Sequence, residues 1–141
     1  MSRMQRVVFD TNALISAAIL QHSVSNQALM RAAVEFEIIV SERTWHAFET
    51  RIERPKLFHY FGNLVAQREE VIKTIGRAVK HVPVASVVTD CSDTDDNKFL
   101  ALALDGNAAC IVTGDRALLD LHPWRGVQIL RGGDFVRLLF P

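Results

Sequence analysis

The chain is poor in cysteine. Cys91 and Cys110 are its two thiols, and they lie far apart with no paired spacing around them. That excludes a disulfide framework and a zinc motif, and leaves free, half-buried thiols in a reducing cytoplasm as the expectation. Net charge is missing too: 16 Lys and Arg balance 16 Asp and Glu. Composition therefore gives no electrostatic argument for nucleic acid, although a zero sum still permits an acidic pocket beside a basic rim. Long apolar runs are absent. Met1 to Arg6 is polar and the run after it is broken by Asp10 and Asn12, so neither a signal peptide nor a membrane span is expected. No repeat, low-complexity tract or linker rich in Pro, Gly and Ser interrupts the chain, which reads as one domain over 1–141. "GNLVAQRE" and "RGGDF" lack the pattern of a glycine-rich phosphate loop. His22, His46, His59, His81 and His122 are scattered, with neither metal-ligand spacing nor a nucleophile–base arrangement.

What is present fits a soluble globular domain: 141 residues, 49% hydrophobic and 23% charged. Much of the positive charge is arginine, which favours planar, bidentate phosphate contacts as well as ordinary surface pairs. "RVVF" is a short β-branched run and predicts a buried strand. Helices are expected over Asn12 to about Leu20 and over Asn26 to Val34, followed by a strand at "FEIIVS". Ser41 suits the N-cap of a helix carrying Trp45, Phe48 and Ile52 and ending near Pro55. "GNLVAQREEVIKTIGRAVKHV" has amphipathic spacing through Val82, and "VPVASVV" reads as a short strand or an extended segment. The helix of "SDTDDNKFLALALDGN" has Ser92 or Asp93 as cap and Gly106 as stop. "ACIVTGD" is a strand entering a Gly turn, "RALLDL" a helical turn, "VQIL" a last strand and "GDFVRLLF" a last helix. Continuously apolar strands alternating with helices predict a three-layer α/β/α sandwich around a parallel sheet. In such sheets ligands lie beyond the carboxyl ends of the strands.

Two of those strands run into an aspartate: "VVFD" ends at Asp10 and "CIVTGD" at Asp115. Parallel strands would bring both carboxylates to one edge. Asp96 opens the helix before the Asp115 strand and shares its face with Phe99, Leu100 and Ala103. A carboxylate on a core-facing stripe is costly unless something pairs with it. Asp95 and Lys98 are expected in solvent. Asp93, one turn earlier, is a cap or a group supporting the others. Singly, each acid has a plain reading as a cap or turn residue. Together they converge with no basic residue in these motifs to neutralise them, and such carboxylates repel. A hard divalent cation, Mg²⁺ or Mn²⁺, resolves that repulsion. Thr11, Asn12 and Thr113 stand beside the acids, where they can orient ligands or water, or merely cap and fill.

"VVFDTNALISA", "DTDDNKFLALAL" and "IVTGDRALL", in this order and spacing, resemble the PIN domain. "SERTWHAF", "ERPKL" and "VQILRGGDFVRLL" resemble one bacterial branch, described as toxin components of toxin–antitoxin systems. The resemblance covers nearly the whole chain. It implies a parallel α/β/α sandwich and a Mg²⁺- or Mn²⁺-dependent endoribonuclease. It places the family's acids on Asp10, Asp96 and Asp115, its small polar residue on Asn12 and its last-motif threonine on Thr113. The chain departs from the branch at one place. Where the branch carries a Glu in the helix before "RPK", this sequence has Ala47; Glu49 follows it and Glu42 precedes it.

The expected catalytic set is therefore Asp10, Asp96, Asp115 and Glu49, with Asp10, Asp96 and Asp115 on the metal and Asn12, Thr113 and Asp93 supporting them. The expected partners are an RNA substrate, an antitoxin protein and further copies of the chain, in the cytoplasm and away from membranes. Arg51, Arg54 or Arg116 would contact flanking phosphates. The aromatic stretch Leu57 to Phe61 reads either as an interface or as the packed end of a helix. The alternative function, motivated by Ala47, is a catalytically weak module that binds RNA or protein. A receiver-like phosphate-handling domain ranks low, because "FDTN" offers one acid rather than a pair.

Overall fold

β1 (Arg6–Phe9) is the centre of the molecule, and its neighbours follow from the burial of both its faces. A computed structural model describes residues 4–54 and 65–139. In it β1 is joined by β2 (Glu37–Val40), β3 (Val79–His81), β4 (Cys110–Val112) and β5 (Gln128–Leu130) in the order β3-β2-β1-β4-β5. All four pairings are parallel, with Val7 opposite both Ile38 and Cys110, and Ile111 opposite both Val8 and Ile129. The strands are apolar on both faces because helices cover both. Val7, Phe9, Ile38, Cys110 and Val112 pack with residues of α1 (Thr11–Ile19), α2 (Val24–Glu35), α3 (Glu42–Ile52), α4 (Val65–Ala78) and α7 (Gly132–Leu139). Val8, Ile39, Ile111 and Ile129 pack with α5 (Asn97–Asp105) and α6 (Arg116–Leu119). The period of two that separates these sets is the side-chain alternation of a strand. The result is the three-layer sandwich that the alternation of elements predicts.

Local capping sets where the helices begin. Ser23 accepts from the amide of Asn26 at 3.0 Å and opens α2. Ser41 and Thr44 form a reciprocal capping box at the head of α3. This fixes the phase of α3, so that Phe48 and Ile52 are buried and one side is left for the cleft described below.

One boundary differs from the periodicity. The amphipathic helix expected to run to Val82 stops at Ala78, and Val79–His81 forms the edge strand β3. Val79 is β-branched and pairs with Ile38, so cross-strand pairing outweighs helical spacing there. "VPVASVV" is extended without forming a strand. It is held by Asp105, whose Oδ2 accepts from the amides of Ala85 and Ser86 at 2.7 and 2.9 Å. Those bonds, with the Ser86 hydroxyl first among them, lower the pKa of Asp105. The stretch Leu57 to Phe61 lies outside the described residues. Both cysteines are free and buried, and burial pushes Cys110 up to about 12.

Candidate metal centre

Strand order reverses between β1 and β4, and their carboxyl ends open onto one crevice. Asp10 follows β1 directly and is 4% exposed. Its Oδ1 accepts from the amide of Ala13 at 2.8 Å, capping α1. Its Oδ2 accepts from the hydroxyl of Thr113. Thr113, 1% exposed, also accepts from the amide of Asp115 at 2.9 Å. A single hydroxyl thus ties the end of β1 to the turn after β4. Burial raises the pKa of Asp10, against the Thr113 and Ala13 bonds that lower it; Asp115 raises it further and Arg51 lowers it.

Asp96 closes a 3-10 turn, Thr94–Asp96, rather than standing inside the helix that follows. That turn presses its carboxylate inward, 8% exposed. Its Oδ2 is buried and has no hydrogen-bond partner. One carboxylate oxygen each from Asp93, Asp96 and Asp115 lie within 4.8 Å of one another. Asp93 also caps the turn, accepting from the amide of Asp95 at 3.2 Å, as its reading as a cap expects. As ionised groups, Asp96 and Asp115 have no donor between them. Burial first, then a proton shared with Asp115 and the charges of Asp115, Asp93 and Asp10, push Asp96 up to about 8. An all-oxygen set with an undonated buried oxygen suits a hard divalent cation, which takes the place of that proton.

The remaining site residues are distributed unevenly. Asp10 adjoins the cluster, but its oxygens are engaged as above and it is not among the three converging acids. Glu49 is not brought to the cluster either, and the α3 side of the neighbouring cleft is set by other residues. This cleft, of about 520 Å³, receives Arg43, His46, Ala47, Thr50 and Arg51 from α3 and Arg54 from just beyond it. Facing them are Thr11, Thr94, Asp95, Asn97 and Lys98, the chain neighbours of the acids. Ala47 therefore points to the cleft, Glu49 does not line it, and Glu42 lines a different cavity. An ideal helix puts residues two apart on different sides. Lys98, expected in solvent, has a side chain 14% exposed and pairs with Asp95 at 3.0 Å. Its ammonium also lies over the Phe99 ring.

Two features escaped sequence reading. Arg51 Nη1 donates to Asn12 Oδ1 at 2.9 Å, bridging α3 to the start of α1. Its position one turn after Ala47 was the only signal in the sequence. The hydroxyl of Thr11 is buried without a partner, and nothing in the sequence distinguished it from a helix-start residue.

The fold and the acidic crevice together define a protein class. Residues 6–117 match the family described as PIN domain, and the chain belongs to that family, whose members are generally metal-dependent nucleases. The uncharacterized protein MJ1680 of Methanocaldococcus jannaschii is 31% identical over 129 residues, covering 83% of this chain and 75% of that protein. In fold, the chain is similar to a chain in the crystal structure of VapBC2 from Rickettsia felis bound to a DNA fragment from their promoter. The TM-score is 0.65 at 11% identity, covering 89% of this chain and 97% of that one. PAE2754 from Pyrobaculum aerophilum is similar with a TM-score of 0.58 at 17% identity, covering 97% and 91%. No helix among the described residues is long and apolar enough to cross a membrane.

Proposed function

We propose that the protein is a Mg²⁺- or Mn²⁺-dependent endoribonuclease, the toxin of a toxin–antitoxin pair. The observation that carries this is the convergence of Asp93, Asp96 and Asp115 at the switch point of the sheet, with a buried Asp96 oxygen left undonated. Asp93, Asp96 and Asp115 would hold the ion, with Asp10 beside them. When bound there, such an ion supplies a Lewis acid that lowers the pKa of water and offsets charge on the phosphate. Thr113 keeps Asp10 and the Asp115 turn in register through its two hydrogen bonds. Asn12 orients the side chain of Arg51. Arg51 and Arg54 face phosphates along the cleft. Toxin character is supported by the bacterial-branch motifs and by likeness in fold to a chain of a VapBC complex.

The test is incubation of the protein with labelled structured RNA in Mg²⁺, Mn²⁺ or EDTA, alongside Asp115→Asn. Cleavage that needs metal and is lost in the variant is the expected result. Folded protein that cleaves in no condition would shift the reading to a module that binds RNA or protein, which Ala47 in the cleft lining favours.

A further inference from the structure

The cleft has a wall that the acidic cluster leaves unexplained. α3 and the residue just past its cap line it with Arg43, Arg51 and Arg54, and among the described residues with no carboxylate. Arg51 is the member that reaches across, to Asn12 Oδ1 at 2.9 Å, two residues after Asp10. Ala47, one turn before Arg51, offers no oxygen to the same space. Asp10 has one oxygen committed to the Ala13 amide and the other to the Thr113 hydroxyl. A second divalent ion on the α3 side would thus meet Asp95 already paired with Lys98, a largely satisfied Asp10, and a guanidinium. The first ion, by contrast, meets three converging carboxylates.

We infer that this centre takes one divalent ion rather than two, at Asp93, Asp96 and Asp115, and that Arg51 is the second cation. The inference rests on the metal-centre reading above. Arg51 fits the role because a guanidinium stays charged and meets a phosphate through a planar pair of donors. Asn12 holds it at the rim, where it repels a second ion and faces a substrate phosphate. This chain thereby replaces an exchangeable charge with one fixed to α3.

Manganese titration with a count of bound ions tests this on the parent chain, Arg51→Gln and Arg51→Lys. One Mn²⁺ per parent chain is expected. Arg51→Gln should bind Mn²⁺ more tightly, by about three- to tenfold, because a nearby positive charge is gone. Arg51→Lys should stay within about twofold of the parent, since it restores that charge. Circular dichroism and melting confirm that the variants fold. Two ions on the parent chain, an unchanged affinity in folded Arg51→Gln, or equal tightening in Arg51→Lys would each overturn the inference. Folded parent chain that binds no Mn²⁺ would overturn the metal-centre reading with it, whereas one ion insensitive to Arg51 overturns the inference and leaves that reading standing.

Discussion

The acidic cluster and the arginine wall of the cleft beside it are built by opposite rules. The cluster is tied down around buried Asp10 and Asp96: Asp10, Thr113 and Asp115 form a chain of hydrogen bonds across two strand ends. The arginine wall stands on α3 and the residue just past its cap and is more open, with the Arg51 to Asn12 bond joining it to the start of α1. Burial makes the acids costly as bare charges and therefore receptive to a cation. Exposure makes the arginines cheap to hold and easy to change.

The largest effect that would break this contrast is expected at Asp96. Asp96→Asn should lower metal-dependent RNA cleavage by at least about 100-fold, while melting near neutral pH shows a metal-free fold at least as stable as the parent, because Asn stays neutral in that buried place without taking up a proton. Activity within tenfold of the parent would mean that the acidic cluster is structural. Next is Thr113→Val, which leaves Asp10 Oδ2 and the Asp115 amide without their shared partner. Urea unfolding should show a loss of about 1–3 kcal/mol. An unchanged midpoint would mean that the chain of bonds contributes nothing.

A smaller effect concerns pH. Asp96 is raised from 3.8 to about 8, so in that window the folded chain holds a proton that the unfolded chain has released. Its contribution to stability is full below pH 3.8 and is lost as pH rises through about 8. The raised pKa of Asp10 acts in the same direction. Metal-free protein should therefore lose stability across this window, Asp96→Asn should lose less, and millimolar Mg²⁺ should oppose the loss. Stability that rises across the window in metal-free protein would contradict the buried acids. The smallest effect is expected on the arginine wall. Arg54→Ala should weaken RNA binding about two- to fivefold and reduce the salt slope by about one, uniformly across sequences. A sequence-dependent loss in binding assays would assign Arg54 a reading role instead of a phosphate contact.

Much of this contrast was legible in the residues. Apolar strands ending in Asp10 and Asp115 imply a parallel sheet with acids at one edge, because covered strands need no polar face and strand direction sets where their ends lie. Ser41, Phe48 and Ile52 announce α3 and its buried side. Other features were hidden for particular reasons. Val79–His81 carries the periodicity of the helix before it, and only pairing with β2 makes it a strand. Half-buried Lys98 has its ammonium over the Phe99 ring, a contact that spacing along the chain does not show.

The spacing of Asp10, Asp96 and Asp115 along the chain is enough to raise the expectation of a cation, since carboxylates brought together repel. It cannot say which oxygens meet, because that depends on the turn that swings Asp96 inward with Asp93 beside it and on the hydroxyl that occupies Asp10. Nor can it say that Ala47 and Arg51, rather than Glu49, face the cleft. A helix presents residues by its phase, and the phase of α3 is set where its capping box and its buried Phe48 and Ile52 dock against the sheet.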